Sequence, residues 1–367
     1  MTETTPPAGD APTRLADLTT MRVGGPAARI VTAPDADALV AAVQAADAAG
    51  EPLLLVSGGS NLLVADEGFE GTVVRVASRG VTVESQDSCS GATVRVAAGE
   101  PWDAFVARCV TEGWSGVEAL SGIPGLTGAT PIQNVGAYGQ DVSQTIARVR
   151  TWDRQEGRQR TFAAADCGFS YRSSLFKESA AGASPRYVVL DVTFQFELAD
   201  RSRPLAYADL ARGLGVELGA RVPLADAREA VLEQRRRRGM VLDAADHDTW
   251  SCGSFFTNPI LATRQMEDLQ ERVGQRLGPD AGLPQFAEPD GRVKTSAAWL
   301  IERAGFGKGY GLPGPAALSS KHTLALTNRG GASAGQILAL AREVRDGVEA
   351  TFGVRLVNEP VLVGLAL

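Results

Sequence analysis

Apolar residues recur at the spacing of a helix in several segments of this chain. The clearest segment is residues 334–352, whose apolar stripe begins after a capping box of Ser333 and Gln336 and stops at Gly353. The same period predicts helices over residues 35–49, 227–238, 263–277 and 294–304. We therefore expect helices in both halves of the chain, with most of them in the second half.

Short runs of β-branched residues predict strands between these helices. The runs lie at residues 53–57, 72–77, 81–84, 93–98, 187–196 and 355–362. Because helices and strands do not alternate strictly, the pattern favours an α+β fold over a doubly wound parallel sheet. The composition changes near Ala220, and residues 221–227 resemble a linker into a C-terminal domain.

Two glycine-rich segments interrupt the periodic pattern. Residues 121–139 read SGIPGLTGATPIQNVGAYG, and this many glycines and prolines cannot form a regular helix or a central strand. Residues 58–61, GGSN, follow a predicted strand directly, so the turn offers free N–H groups of the kind that bind a dinucleotide pyrophosphate. The spacing is not that of a Rossmann loop, because Leu62 and Leu63 stand where the last glycine is needed.

Length and composition limit the possible classes of protein. A chain of 367 residues is long enough for two or three domains. No apolar run approaches the roughly 20 residues of a membrane span, so we expect no membrane insertion. Residues 1–13 lack the basic start and apolar stretch of a secretion signal, and we expect a disordered tail on a cytoplasmic protein.

Charge and the metal-binding residue types point away from two further classes. A net charge of −7 opposes nucleic-acid binding, and we interpret the basic run at residues 235–238 as the end of a helix. An alternative is that some of these guanidinium groups bind a nucleotide diphosphate. The four cysteines include no CxxC pair and the chain has two histidines, which favours free thiols and no metal site.

Ordered sequence strings along the chain resemble one enzyme family. Besides GIPG and PIQNVGAYG, they are RVGGPA at 22–27, SGGSNLLV at 57–64, FSYRSSLFK at 169–177, GSFFTNP at 253–259, and Glu359 ahead of Gly364. Together they resemble the UDP-N-acetylenolpyruvoylglucosamine reductases, which catalyse the second committed step of peptidoglycan precursor synthesis. The resemblance runs from about residue 14 to the C-terminus.

The resemblance implies a domain arrangement and a reaction. It implies an FAD-binding domain of the vanillyl-alcohol-oxidase/PCMH type in residues 14–220, built of two α+β subdomains split near residue 80. A smaller α+β substrate-binding domain follows in residues 221–367, and its last strand returns to the active site. The implied reaction is the NADPH-dependent, FAD-mediated reduction of UDP-N-acetylenolpyruvoylglucosamine to UDP-N-acetylmuramate, with noncovalent FAD, NADPH as co-substrate and a monomeric enzyme.

The resemblance also implies roles for particular residues. Arg172 would bind the substrate carboxylate and stabilise the enolate, Ser254 would donate the proton, and Glu359 would support Arg172 or the intermediate. The implied substrate contacts are Tyr171, Tyr207, Arg238 and Asn258. The implied FAD contacts are Ser57, Gly58, Gly59, Ser60, Asn61, Leu62, Gly122, Ile123, Pro124, Gly125, Asn134, Gly136, Ala137 and Tyr138.

Tyr207 and Arg238 match the family in a different way from the other implied substrate contacts. Tyr207 lies in LAYADL, which resembles an inserted segment that closes over the nucleotide in one subclass of the family. Arg238 stands where family members often have lysine.

Some segments of the sequence match motifs of other classes of protein. GASAG at 331–335 matches the nucleophile elbow of serine hydrolases. In those enzymes the catalytic histidine follows the serine along the chain, whereas both histidines of this chain precede Ser333. GFGKG at 305–309 lacks the Ser/Thr and the upstream glycine of a phosphate-binding loop. A non-catalytic binding module would not explain the Tyr-Arg, Ser and Glu strings. The alternative that stays open is another flavoenzyme on this fold, one that oxidises a sugar or hydroxy-acid alcohol.

Overall fold

A computed structural model describes residues 14–367, so the expected tail at residues 1–13 lies outside the described residues. The chain forms eight α-helices and eighteen strands within this range. Helix α1, Ala36–Ala49, confirms the first predicted helix. It begins where the Asp35 side chain accepts the N–H of Ala38, and it ends at Gly50 in the left-handed conformation that glycine adopts without strain.

The first sheet is small and parallel. The first four strands are β1 Ala27–Ala33, β2 Leu53–Val56, β3 Leu62–Val64 and β4 Phe69–Val76. Strands β1, β4 and β2 pair in that order, and α1 packs against β1 and β4. The turn between β2 and β3 carries the GGSN segment, which therefore lies at the carboxyl end of β2.

The second sheet is antiparallel and packs against the largest core. The helices and strands of this part of the chain are β5 Val81–Asp87, β6 Gly91–Ala97, α2 Trp102–Glu112, β7 Trp114–Ser115, β8 Gly136–Ala137, β9 Gln140–Asp141, β10 Ile146–Asp153, β11 Arg158–Ala163, α3 Leu175–Glu178 and β12 Tyr187–Leu198. The main strands run in the order β11–β10–β12–β6–β5, and β8 pairs only with β9. Trp102, Phe105, Phe194 and Phe196 are buried between α2 and this sheet and bring their rings within about 6 Å of one another.

Two helices extend the first half of the molecule. They are α4 Ala208–Leu214 and α5 Leu224–Arg237. The expected linker at residues 221–227 is wrong in its second half, because Leu224 already begins α5 and is buried there. The core cluster that α5 shares with Ala119 and Leu205 has no member beyond Val231. We therefore propose that the C-terminal domain begins after Gly239 rather than near residue 220.

The C-terminal part packs short strands around three helices. Its elements are β13 Ile260–Leu261, α6 Thr263–Leu277, β14 Phe286–Ala287, β15 Val293–Lys294, α7 Ala297–Arg303, β16 Ala316–Leu318, β17 Leu326–Asn328, α8 Ala334–Phe352 and β18 Val361–Val363. Helices α6 and α8 confirm their predictions, and the capping box of Ser333 and Gln336 is present. Helix α7 begins later than predicted, because Lys294 is still in a strand and Ser296 caps the helix.

The last strand is shorter than predicted, and it connects the two ends of the chain. Residues 355–360 are not a strand, because Pro360 has no N–H to give to a ladder. Strand β18 instead pairs in parallel with β3 in a separate two-stranded sheet, so the C-terminus returns to the segment that directly follows the GGSN turn. Glu359 stands just before β18 and is thereby brought beside the GGSN turn. Within residues 14–367, no helix is both long enough and apolar enough to cross a membrane.

Candidate active site

Two glycine loops lie against each other at the carboxyl end of β2. The first loop is residues 57–62 and the second is residues 122–125. The Ser60 hydroxyl donates to the Pro124 carbonyl at 3.1 Å, and a Cβ added to Gly58 would lie only 2.5 Å from the Gly125 Cα. The backbone N–H groups of residues 58–61 donate no hydrogen bond anywhere in residues 14–367. The buried Ser57 hydroxyl also has no partner in that range, so the loop offers unpaired donors.

Arg172 is held by a third loop, residues 134–138. Its Nη2 donates to the Gly136 carbonyl at 2.8 Å and its Nη1 to the Asn134 carbonyl at 3.4 Å. Its Nε lies 3.1 Å from the Glu359 Oε1. Arg172 has a φ of 55°, and Asn134 and Tyr138 have φ values of 45° and 52°. Positive φ is uncommon outside glycine, so these contacts hold a conformation that the chain would not adopt unaided.

Glu359 lies where the first loop meets the C-terminal domain, and its side chain is 12% exposed. Its N–H donates to the Phe255 carbonyl at 2.8 Å, and its carbonyl accepts from the Asn61 side chain at 3.3 Å. Burial raises the pKa of the Glu359 carboxyl above its ordinary value, while Arg172 and Lys177 act in the opposite direction. The carboxyl can therefore exchange a proton at a higher pH than an exposed glutamate.

Ser254 precedes the residue that contacts Glu359. The N–H of Phe255 donates to the Leu324 carbonyl at 2.7 Å, which fixes this segment between Leu324 and Glu359. Ser254 is half-buried, and its hydroxyl makes no hydrogen bond within residues 14–367, including to Arg172 or Glu359. Its proton is thus not committed to another group in the described part of the chain.

Tyr171 and Asn258 also lie together. The Asn258 N–H donates to the Tyr171 hydroxyl at 3.3 Å, and the Asn258 Oδ1 accepts the N–H of Ala297 at the start of α7. The Lys294 Nζ lies 5.0 Å from the centroid of the Tyr171 ring. Lys294 was not among the residues implied by the resemblance. It adds a cation next to the Tyr171-Arg172 string.

Tyr207 and Arg238 meet at the third loop. The rings of Tyr138 and Tyr207 are perpendicular with centroids 5.4 Å apart. Arg238 donates to the Tyr138 hydroxyl at 3.3 Å and lies 3.3 Å from an oxygen of Asp209 in α4. Tyr207 is 41% exposed, so a large aromatic ring stands at the surface beside a partly buried cation.

Arg235 is a residue that the sequence interpretation missed. The residue is partly buried, its Nη2 donates to the Met240 carbonyl at 2.8 Å, and its buried Nε has no partner in residues 14–367. A Cβ added to Gly122 would lie 3.5 Å from that Nε, so the guanidinium borders the second glycine loop. Arg235 and Arg238 are three residues apart and so lie on one helical face. This spacing is the feature of the sequence from which a role for Arg235 could have been predicted. A solvated helix end therefore does not describe Arg235.

His322 belongs to the same basic cluster, and we predict a pH-dependent effect on stability. Burial, with the nearby charges of Arg238, Lys308 and Arg235, lowers the pKa of His322 from 6.5 to about 4. Between these values the unfolded chain binds a proton that the folded chain does not. The free energy of unfolding should therefore fall as the pH falls from 6.5 to 4, by about 3 kcal/mol at most from this residue. Urea unfolding of wild type and His322→Gln should show a shallower pH slope in the variant, and equal slopes would contradict the assignment.

Metal-binding residue types are not clustered at the site. Within residues 14–367, no three His, Cys, Asp or Glu side chains are placed to hold a metal ion. The four cysteines are free thiols, and burial raises the pKa of Cys167 and Cys252 to about 12. Thiols with so high a pKa are poor nucleophiles near neutral pH.

Comparisons with known proteins agree with this geometry. A family model described as an FAD binding domain matches residues 27–163, and one described as the C-terminal domain of UDP-N-acetylenolpyruvoylglucosamine reductase matches residues 245–363. A reductase of that name from Thermobifida fusca is 58% identical over 96% of this chain and 97% of its own. Its counterpart from Streptomyces coelicolor is 57% identical over 98% of this chain and 90% of its own.

A solved structure shows the same fold. The crystal structure of UDP-N-acetylenolpyruvylglucosamine reductase from Thermus caldophilus matches 96% of this chain and 97% of its own with a TM-score of 0.62, at 24% identity. The fold and site thus define an FAD-dependent oxidoreductase with a separate C-terminal domain, and the expected α+β class is confirmed. The chain belongs to the UDP-N-acetylenolpyruvoylglucosamine reductase family.

The residues at the glycine loops fit FAD, and Gly58 provides a test. An added Cβ at Gly58 would push the second loop away from the first, because it would meet the Gly125 backbone at 2.5 Å. Overpacking of this kind costs about 1 to 3 kcal/mol, so Gly58→Ala should bind FAD roughly tenfold or more weakly. Quenching of flavin fluorescence on titration with apoprotein measures this. Gly274→Ala, where nothing lies within 4 Å of the added Cβ, is the matched control, and equal affinities in both variants would contradict the cradle.

Proposed function

We propose that this chain catalyses the reaction of its family, the NADPH-dependent, FAD-mediated reduction of UDP-N-acetylenolpyruvoylglucosamine to UDP-N-acetylmuramate for peptidoglycan precursor synthesis. The observation that carries the proposal is the pairing of Arg172 with partly buried Glu359 beside the glycine loops. When bound at the loops of residues 57–62 and 122–125, FAD would supply the hydride chemistry that connects NADPH with the β-carbon of the enolpyruvyl group. The residues of the chain must then stabilise the negative charge on the substrate carboxylate and protonate the α-carbon.

Arg172 is suited to stabilise that charge. A guanidinium has five N–H donors, and two of those of Arg172 are hydrogen-bonded to the carbonyls of Asn134 and Gly136. The Nε lies 3.1 Å from the Glu359 Oε1 as an ion pair but has no hydrogen-bond partner within residues 14–367, so three N–H groups are available for carboxylate oxygens. Because the guanidinium is fixed before the substrate arrives, little reorganisation is needed as charge develops.

Ser254 is the proposed proton donor. Its hydroxyl has no partner in residues 14–367, and its main chain is tied to Glu359 through Phe255. A serine hydroxyl is a weak acid, so it depends on positive charge nearby to stabilise its conjugate base. Glu359 keeps Arg172 in place, and its raised pKa allows it to take part in proton exchange.

The proposed FAD contacts come from the three loops. The unpaired N–H groups of residues 58–61 would bind the pyrophosphate, and the Ser57 hydroxyl would add a polar contact. The Asn61 side chain is already engaged with Gln133 and Glu359, so Asn61 would bind FAD through its main chain. The remaining proposed contacts are Leu62, Gly122, Ile123, Pro124, Gly125, Asn134, Gly136, Ala137 and Tyr138.

The proposed substrate contacts lie on two sides of Arg172. Tyr171 and Asn258 are hydrogen-bonded to each other, and the Asn258 side-chain NH₂ is left to bind an oxygen of the substrate. Arg238 would bind the diphosphate, and exposed Tyr207 would close over the nucleotide from its contact with Tyr138. We also propose a monomer that works in the cytoplasm, where free thiols such as those of this chain persist.

The purified protein tests the proposal directly. We expect a flavin absorbance spectrum and NADPH oxidation that depends on added UDP-N-acetylenolpyruvoylglucosamine. A flavoprotein that ignores this substrate and consumes oxygen with a sugar or hydroxy-acid alcohol would favour the oxidase alternative. A protein that cannot be reconstituted with FAD would contradict both. Sedimentation analysis of the same preparation tests the monomer.

A further inference from the structure

Lys177 contacts the main chain of Arg172. It lies in the single-turn helix α3, whose first residue follows Ser174, and the Ser174 hydroxyl donates to the Ile132 carbonyl of the segment before the third loop. The Lys177 side chain turns back along the helix, and its Nζ donates to the Arg172 carbonyl at 2.9 Å. Lys177 is half-buried, and within residues 14–367 its ammonium makes this one hydrogen bond.

This contact falls on one of the four non-glycine residues that have a positive φ in residues 14–367. Arg172 has a φ of 55°, which costs an arginine free energy that the surroundings must supply. Two main-chain hydrogen bonds between Ser170 and Ser173 close the turn around it. The Arg172 carbonyl lies inside this turn and would otherwise be left without a partner. Lys177 therefore stabilises the backbone conformation from which the guanidinium reaches Asn134, Gly136 and Glu359.

Lys177 also contributes charge at the same place. The Lys177 Nζ lies 2.9 Å from the Arg172 carbonyl, and the Arg172 Nε lies 3.1 Å from the Glu359 Oε1. The charges of Arg172 and Lys177 both act to lower the pKa of Glu359, and the charges that act on the pKa of Lys177 are those of Glu359 and Arg172. Burial lowers the pKa of Lys177, and the charge of Glu359 opposes that effect. Lys177 makes no direct ion pair with Glu359 in the described residues, so it acts on the carboxyl through space. When a substrate carboxylate binds Arg172, Lys177 is the remaining cation that Glu359 faces.

We propose that Lys177 is a positioning residue for substrate reduction, which holds the backbone of Arg172 through its carbonyl and supplies the second positive charge beside Glu359. The role rests on the proposed function of Arg172 and Glu359. Four of the 36 basic residues of the chain are lysines, and at this position a compact ammonium can donate to a single carbonyl. No other residue of α3 has a polar group on Arg172.

Three variants separate the two parts of this role. Lys177→Met removes the donor and the charge, Lys177→Gln keeps a donor without the charge, and Lys177→Arg keeps both. We expect Lys177→Met to lower kcat roughly 10²-fold with a smaller change in KM, because the guanidinium is no longer fixed. Lys177→Arg should recover most of the rate. Lys321→Met, at a lysine paired with Asp246, is the matched control and should keep the wild-type rate.

A second readout does not require turnover. Difference infrared spectra across a pH titration record the carboxylic acid band of Glu359, assigned by its loss in Glu359→Gln. Removing a nearby cation raises the pKa of a carboxyl, so the midpoint in Lys177→Met and Lys177→Gln should rise by about one pH unit. Lys177→Arg should leave the midpoint unchanged.

The outcomes distinguish this inference from the proposed function. Wild-type kcat and an unchanged Glu359 midpoint in Lys177→Met would overturn the role of Lys177. A shifted midpoint without loss of rate would overturn the positioning part of it. If wild-type protein itself fails to reduce the substrate, the proposed function fails, while the infrared titration still reports whether Lys177 acts on Glu359.

Discussion

The Ser254→Ala enzyme should bind FAD and oxidise NADPH normally, yet reduce its substrate about 10³-fold more slowly than wild type. The reason is that the half-reaction with NADPH needs no proton from this hydroxyl, whereas the α-carbon of the substrate does. Stopped-flow absorbance at the flavin band measures the two half-reactions separately, with NADPH first and then with UDP-N-acetylenolpyruvoylglucosamine.

Ser254→Cys is the matched variant for this experiment. A thiol is a stronger acid than a hydroxyl, with an ordinary pKa of about 8.5, so the cysteine enzyme should recover part of the lost rate. Equal loss of both half-reactions in Ser254→Ala would show instead that the segment before Phe255 has been disturbed. An unchanged second half-reaction would remove Ser254 from the mechanism.

The second large effect is expected at Arg172. Arg172→Lys keeps the charge but cannot face Asn134, Gly136, Glu359 and a substrate carboxylate together, because an ammonium has three donors in place of five. We expect kcat/KM to fall roughly 10²- to 10³-fold, the usual loss when a preorganised donor is removed. Steady-state NADPH oxidation at varied substrate concentration measures it.

The control for Arg172→Lys is the same substitution at Arg150. Arg150 also places its guanidinium on a carboxylate, that of Asp191, but it does so between β10 and β12 of the second sheet. Arg150→Lys should leave kcat/KM unchanged. If both lysine variants lose the same factor, the loss at Arg172 reflects stability rather than catalysis.

Much of the secondary structure could be predicted because its signals are local. Helix α8 has its capping box, its apolar stripe and Gly353 within one stretch of sequence, and the structure confirms all three. The strand predicted at residues 355–362 was mostly wrong, since its composition is extended but Pro360 breaks the ladder. Helix α5 was predicted to begin three residues late, because residues 221–227 were assigned to a linker and the packing that buries Leu224 is not visible in the local sequence.

The arrangement of the site depends on contacts that no local pattern contains. Glu359 reaches Arg172 only because β18 pairs with β3, two strands at opposite ends of the chain. The residues implied by family resemblance, Arg172 and Glu359 among them, could be placed on the sequence but not relative to one another. The left-handed conformation of Arg172 and the contact from Lys177 had no sequence signal beyond membership of the string FSYRSSLFK. The buried Nε of Arg235 was likewise hidden within a run of four arginines.

A single turnover in deuterated water tests the central claim most directly. Holoenzyme reduced with one equivalent of NADPH, under anaerobic conditions, is mixed with UDP-N-acetylenolpyruvoylglucosamine, and the product is examined by mass spectrometry and NMR. We predict that the oxidised flavin spectrum returns without oxygen and that the product is UDP-N-acetylmuramate with one deuterium on the α-carbon. A flavin that stays reduced until oxygen is admitted, with the substrate recovered intact, would contradict the account.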